Sequence, residues 1–260
     1  MKFVKPKVFL VGETRVIEEG MQGYLDHLGV SQWATDAPSD GERVCEVMGR
    51  LCYRSFEAGL NPNVTRVRQG NAAYLENIIR VGHGSVLEHA TMNFIFADVS
   101  RVVTHELVRH RSGTAMSQES LRFVRLDTLS AYIPVQIQEN DEGMSILART
   151  FEHLEAIQRE LAEVYKIDDE IRFDVKKKLT SAFRRVAPIG LATTIGWSCN
   201  FRALRHVIEN RTDPHAEEEI RYLFGEVYRI VAERYPNVFA DYEVEEVDGL
   251  PWVHTQHRKV

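Results

Sequence analysis

The stretch RHRSGTAMSQESLRF, residues 109–123, is the most informative part of the sequence. It begins with three cationic or ionisable side chains and ends, after a run of small and hydroxyl residues, with a carboxylate and a further arginine. An arginine fork donates several hydrogen bonds to a phosphate or a pyrimidine edge, and small residues let backbone N–H groups approach the same ligand. The stretch therefore predicts a nucleotide-binding loop.

The residues just before this loop, 101–108, have the apolar periodicity of a short helix. Continuing that helix would place Glu106, Arg109 and His110 on one face, because they are spaced i, i+3 and i+4. A basic cluster at a helix end is also favoured by the helix dipole alone. The Arg-His-Arg triplet by itself is thus a weak signal, and its value depends on the residues that follow it.

Outward from the loop, apolar and polar residues alternate in segments that predict strands, and longer segments have helical periodicity. The strands are Val8–Val11, Thr91–Val99 and Leu191–Asn200, with Phe123–Leu126 and Ala131–Val135 as further candidates. The predicted helices are 17–28, 72–81, 141–165, 169–185 and 201–211. A further helix is capped by Ser39 and has Val44, Val47, Met48 and Leu51 on its apolar stripe, and another starts at Asp213-Pro214. This order predicts an α+β protein with a mixed sheet packed by long helices, in a single domain spanning residues 1–260.

Composition limits the possible functions. The chain has 260 residues, is 44% apolar and 27% charged, and carries a net charge of −6. A negative charge argues against a nucleic-acid binder, which needs an excess of lysine and arginine. Three cysteines without C-x-x-C spacing predict neither a disulfide framework nor a zinc knuckle. The short apolar N-terminus and the lack of any 18-residue apolar run predict a cytoplasmic protein with no signal peptide and no membrane span.

Three familiar site motifs are incomplete. His105 and His110 are five residues apart, so they cannot share a zinc ion as the histidines of a zinc-protease helix do, and no metal site is predicted. Ser85 lacks the G-x-S-x-G elbow of a hydrolase nucleophile. The glycine pair at residues 82 and 84 is followed by Leu87 where a dinucleotide fingerprint needs a third glycine, which excludes a Rossmann site.

A second polar cluster lies towards the C-terminus. Asn200 is placed to cap a helix, Arg202 and His206 are one turn apart on it, and Arg211 follows. Alone, the cluster is equally well interpreted as a capped helix with solvated cations.

Taken together, the segments resemble the flavin-dependent thymidylate synthases (ThyX) over about residues 45–235. The signature of that family is Arg-His-Arg followed by a serine and then an arginine, and here eight residues separate Arg111 from Ser120. The pattern from Asn200 to Arg211 and the segment Gly82–His89 resemble two further family segments.

The resemblance implies a ThyX-like fold and a homotetramer with shared active sites that binds no nucleic acid and no membrane. It implies reductive methylation of dUMP to dTMP, with FAD as cofactor, 5,10-methylenetetrahydrofolate as carbon donor and NADPH as reductant. Implied flavin contacts are Ser85, Arg109, His110, Arg111, Gln118, Asn200, Arg202 and His206. Implied substrate contacts are His83 for the folate and Glu106, Arg109, Gln118, Glu119, Ser120, Leu121, Arg122, Arg184 and Arg211 for dUMP, with Arg211 as the catalytic group.

Three residues depart from the family pattern: Glu106 and His206 stand where amides are common, and Phe123 stands where a tyrosine is common. Hydride chemistry is supported by the absence of a cysteine that follows a proline, which the other class of thymidylate synthase needs as its nucleophile. Ser120 has no evident base beside it and is interpreted as a hydrogen-bonding ligand. The alternative is a non-catalytic nucleotide or nucleic-acid binder that uses the same arginines.

Overall fold

The computed structural model describes residues 2–126, 128–170 and 172–260, and the predicted mixture of helices and strands is confirmed. The helices are Glu18–Leu28 (α1), Asp40–Tyr53 (α2), Asn71–Arg80 (α3), Arg101–Leu107 (α4), Val135–Gln138 (α5), Asp141–Val164 (α6), Phe173–Phe183 (α7), Phe201–Thr212 (α8) and Glu218–Arg234 (α9). The strands are Lys2–Phe3 (β1), Lys7–Glu13 (β2), Thr91–Ser100 (β3), Thr114–Gln118 (β4), Ser130–Ala131 (β5), Ala192–Asn200 (β6), Glu243–Val247 (β7) and Leu250–His254 (β8). None of the helices in these ranges combines the length and apolarity needed to cross a bilayer.

The largest sheet has four strands in the order β2-β3-β6-β4. Its two middle strands are the ones that alternate most cleanly in the sequence, and Phe94, Phe96 and Trp197 on them are buried. A short parallel pair joins β1 to β5, and β7 and β8 form an antiparallel hairpin. The hairpin turn is Asp248-Gly249, and both residues have positive φ, as the tight turn of a two-residue hairpin requires.

The chain divides into two compact units. Unit 1 contains the N-terminal residues to Phe9, Ile95–Arg109 and Met116–Trp197, and unit 2 contains Leu10–Phe94, His110–Ala115 and Ser198–Val260. Strands β2, β3, β4 and β6 each run from one unit into the other, so neither unit is a continuous stretch of sequence. The single domain expected from the sequence stays a prediction.

The core of unit 2 is built on α8 and α9, with β8 packed against both. Their apolar faces, represented by Leu204, Ile208, Leu223 and Val227, are fully buried. Burial of this surface from water supplies the main stabilisation of the region that carries the second polar cluster.

The apolar stripe predicted for α2 is wrong in part. Val47 is buried, but Met48 and Leu51 are 36% and 44% exposed. The helix instead buries Glu46 and Arg50, which form an ion pair of 2.7 Å. Arg50 also donates to two carbonyl groups, so the buried charge is satisfied and the helix can turn this polar face inward.

Three other predictions of local structure are wrong. Residues 123–126 form no strand, and the candidate strand at 131–135 is reduced to its first residue in β5. The last long helix starts at Glu218 instead of Asp213-Pro214, because the carboxylate of Glu217 caps it by accepting the N–H groups of Glu219 and Ile220 at 2.9 and 3.2 Å.

Candidate active site

The stretch 109–123 is divided between a turn, a strand and a second turn. The sequence predicted that Glu106, Arg109 and His110 share one helical face. This is wrong, because helix α4 ends at Leu107 and Arg109 and His110 lie beyond it. The backbone N–H of Arg109 donates to the carbonyl oxygen of Glu106 at 3.2 Å, which closes the turn. The chain then passes at Gly113 into strand β4, where the sequence predicted a loop.

Unit 1 holds one group of the predicted substrate residues. Gln118 donates through its amide to the hydroxyl of Thr104 at 3.1 Å, which fixes the end of β4 beside α4. The backbone N–H of Glu119 donates to the carbonyl of Thr194 on β6 at 2.9 Å. Ser120 begins a turn in which its carbonyl accepts the N–H of Phe123 at 3.0 Å.

The cations of this group are at the surface. Arg122 is exposed, with its guanidinium 5.6 Å from the ring of Phe123, while Leu121 is buried. Arg184 is exposed at the start of a short 3₁₀ helix, Arg184–Val186. The pKa of Arg101 is lowered by its burial and by the nearby charge of Arg184. Two arginines held close together in this way are suited to a dianionic ligand such as a phosphate.

Unit 2 contains a polar cavity of about 240 Å³. It is lined by residues from four parts of the sequence: the segment Gly82–His89, the two predicted clusters and the C-terminal segment. The lining residues are Glu88, Ser112, Gly113, Asn200, Arg202, Ala203, His206, Arg258, Lys259 and Val260.

Asn200 and Gly113 form one contact between the two predicted clusters. Asn200 caps α8 by accepting the N–H of Ala203 at 2.8 Å, and its own backbone N–H donates to the carbonyl of Gly113 at 3.0 Å. Gly113 has a φ of 67°, and a Cβ there would lie 2.5 Å from the Asn200 amide nitrogen. Only glycine fits this position, and it lets the backbone reach the cavity wall.

Arg202 is held across the cavity by Glu88, with 2.6 Å between Nη1 and Oε1. Its other terminal nitrogen donates to the carbonyl of Lys259 at 3.3 Å. A Cβ on Gly84 would lie 2.8 Å from Nε of Arg202, so only glycine at position 84 leaves room for this guanidinium.

His110 and Arg211 form the second contact between the clusters. Nε of Arg211, in the last turn of α8, donates to Nε2 of His110 at 2.8 Å. Burial, the charge of Arg211 and the nearby His206 lower the pKa of His110 to about 4. The imidazole is therefore neutral at physiological pH, accepts at Nε2, and carries its proton on Nδ1.

Of the predicted flavin residues in unit 2, Asn200, Arg202 and His206 line the cavity, and Ser85, His110 and Arg111 do not. Ser85 is exposed and lies within the short 3₁₀ helix Gly84–His89. His83, which precedes that helix, is also exposed.

Part of the cavity wall was not predicted from the sequence. Ser112 and Gly113 belong to the stretch 109–123, but no role was predicted for them, and none was predicted for the segment that supplies Arg258 and Lys259. The basic run His257-Arg258-Lys259 in an otherwise acidic tail was the available signal.

The chain is similar to known proteins over most of its length. Residues 35–237 match the profile of the family described as thymidylate synthase complementing protein. The flavin-dependent thymidylate synthase of Mycobacterium avium (strain 104) is 38% identical over 215 residues, covering 82% of this chain and 83% of that protein. The corresponding protein of Mycobacteroides abscessus is 35% identical over 218 residues, with the same coverage.

This chain belongs to the flavin-dependent thymidylate synthase family. The predicted membership is confirmed, and it makes the protein an enzyme instead of the non-catalytic binder that the sequence left open.

Two solved structures show the fold of the family. The UMP/dUMP methylase PolB from Streptomyces cacaoi, bound with 5-Br dUMP, superposes with a TM-score of 0.63 at 16% identity, over 92% of this chain and 95% of that one. Thymidylate synthase X from Helicobacter pylori, with FAD and dUMP, gives 0.60 at 20% identity, over 91% and 98%. The ThyX-like α+β fold is therefore confirmed.

Proposed function

We propose that the protein converts dUMP to dTMP by reductive methylation, with 5,10-methylenetetrahydrofolate as the carbon donor and NADPH as the reductant of bound FAD. In the balanced reaction, dUMP, methylenetetrahydrofolate, NADPH and a proton yield dTMP, tetrahydrofolate and NADP⁺. The observation that carries this proposal is that the two signature segments, 110–113 and 200–211, contact each other within unit 2 and together line one polar cavity.

The residues of this cavity fit part of an FAD molecule. Its wall carries a hydroxyl, an amide, a glycine backbone and several cations, which are the groups that bind phosphate oxygens. A cavity of about 240 Å³ is too small for the whole dinucleotide, so the remainder must be held by other residues. This supports a homotetramer in which neighbouring subunits complete the site, as does the exposure of Phe9 and Val11.

We assign the remaining roles to the residues that match the family segments. Flavin contacts are Ser85, Arg109, His110, Arg111, Gln118, Asn200, Arg202 and His206. dUMP contacts are Glu106, Arg109, Gln118, Glu119, Ser120, Leu121, Arg122, Arg184 and Arg211, and His83 lies beside the folate. The surface positions of Arg122 and Arg184 support a role in binding the phosphate of dUMP.

When bound and reduced, FAD supplies the hydride that the uracil ring accepts at C6. Negative charge then develops on the ring towards O4, and the fixed positive charge of Arg211 is suited to stabilise it. His110 holds Nε of Arg211 and thereby fixes the plane of the guanidinium. Because the His110 imidazole is neutral, it orients Arg211 without adding a competing positive charge.

The test begins with FAD uptake by the purified protein, followed by dTMP formation with each co-substrate omitted in turn. Arg211→Ala should retain FAD and lose about 10²- to 10³-fold in kcat, the usual effect of removing one electrostatic donor to a developing charge. Protein that takes up no FAD contradicts the proposed function, and undiminished dTMP formation by Arg211→Ala removes Arg211 from the mechanism. Three free cysteines and a requirement for NADPH favour the reducing cytoplasm as the location.

A further inference from the structure

The C-terminal segment, residues 238–260, lies outside the part of the chain that matches the family profile, which ends at residue 237. It nevertheless supplies Arg258, Lys259 and Val260 to the wall of the polar cavity. The same wall includes two of the predicted flavin ligands, Asn200 and Arg202, and Arg202 donates to the carbonyl oxygen of Lys259 at 3.3 Å. The cavity is therefore completed by a segment to which the family resemblance assigns nothing.

This segment is firmly anchored to α8. Arg205, whose side chain is completely buried, pairs with Asp241 through two hydrogen bonds of 2.7 and 2.9 Å. Its Nε donates to the main-chain oxygen of Val260 at 3.0 Å. Thr255 donates through its hydroxyl to Asp241 at 2.6 Å. The guanidinium thus holds both ends of the segment on the helix that carries Arg202.

Lys259 is the cation of this wall that has no carboxylate partner. Arg202 is paired with Glu88, and Arg258 is paired with Glu209 at 2.8 Å. Within residues 2–126, 128–170 and 172–260, the exposed ammonium of Lys259 forms no ion pair. Because this ammonium forms no ion pair, it can bind an anionic ligand without first losing a carboxylate partner.

The other lining groups indicate which part of FAD would bind next to Lys259. Ser112, Gly113 and Asn200 offer a hydroxyl, a closely approaching backbone and an amide, and His206 provides the one ring among the lining residues. Flat isoalloxazine and adenine rings prefer aromatic or apolar walls, whereas a diphosphate prefers small polar groups and cations. The wall therefore matches the diphosphate better than either ring system.

We propose that Lys259, placed by the anchored C-terminal segment, binds the diphosphate of FAD. This inference rests on the proposed function, because it assumes that FAD occupies the cavity. It adds a residue from outside the family segments to the cofactor site.

The test is a fluorescence titration of apoprotein with FAD at low salt. Lys259→Ala should raise the Kd for FAD about tenfold, the effect of losing one hydrogen bond to a charged group. Lys259→Arg keeps the charge and should restore most of the affinity. Lys178→Ala, which removes an exposed lysine from α7, is the matched control and should leave the Kd unchanged.

Two further measurements examine the nature of the contact. At about 1 M salt, where the Debye length falls to about 3 Å, the difference between wild type and Lys259→Ala should shrink to less than about twofold. ADP, which carries the diphosphate without the flavin, should displace FAD from the wild type and bind Lys259→Ala about tenfold more weakly.

An unchanged Kd for FAD in Lys259→Ala, or a failure of ADP to displace FAD from the wild type, overturns the role of Lys259 and leaves the proposed function standing. Wild-type protein that binds no FAD overturns both. Because the Lys259 side chain is exposed and forms no ion pair, its removal should leave the fold intact, and an unchanged unfolding midpoint of the variant is the check.

Discussion

The contact between His110 and Arg211 makes the free energy of unfolding depend on pH, and the substitution His110→Gln should remove this dependence. Folding lowers the pKa of His110 from 6.5 to about 4, so the folded state binds the proton less readily than the unfolded state. The stabilisation is complete above about pH 6.5 and is lost as the pH falls towards about 4. His110→Gln removes the titration while keeping an oxygen that can accept the N–H of Arg211.

The magnitude follows from the shift. At about 1.36 kcal/mol per pKa unit, the lowering of the His110 pKa from 6.5 to about 4 corresponds to about 3 kcal/mol of stability between these two pH values. His110 is only partly buried, and solvent screens its interaction with Arg211, so we reduce the expected effect to about 1 kcal/mol. The free energy of unfolding of the wild type, measured relative to His110→Gln, should therefore decrease by about 1 kcal/mol between about pH 7.5 and about pH 5.

The assay is urea unfolding of wild type and His110→Gln at both pH values, with His89→Gln, at the surface, as the control histidine. Comparing variants at the same pH cancels the contribution of carboxylates that titrate in all of them. A difference between wild type and His110→Gln that does not change with pH would refute the neutral-imidazole account of this contact.

Two other perturbations test the framework of the site. Asp241→Asn leaves the buried Arg205 without its counter-charge and should cost about 3 kcal/mol in urea unfolding, whereas an unchanged midpoint would contradict the anchoring role of this pair. Native protein should react with a thiol reagent at Cys52 alone, because Cys52 is exposed and burial raises the pKa of both Cys45 and Cys199. More than one reactive thiol per chain would contradict this prediction.

Sequence reasoning located the elements whose patterns are local. Strands β3 and β6 follow from alternation because each buries one face, and α8 follows from its cap at Asn200 and its apolar stripe. The same reasoning failed for α2, where the buried face carries Glu46 and Arg50. The partners that make this burial possible include the carbonyl oxygen of Arg68, which is distant in sequence.

The start of α9 illustrates the same limit at a helix end. Asp213-Pro214 and Glu217 are both acceptable helix starts by local rules, and the choice depends on which one the packed helix can use. Local propensity ranks such alternatives, but tertiary packing selects between them.

By itself the sequence determined the family and the course of the main helices and strands, because these depend on residue type and on spacing along the chain. Only the tertiary structure decided that Gly113 meets Asn200, that a neutral His110 holds Arg211, and that Lys259 lines the cavity. Such contacts join residues far apart in the chain, and their energies depend on distance and burial, which no local pattern encodes.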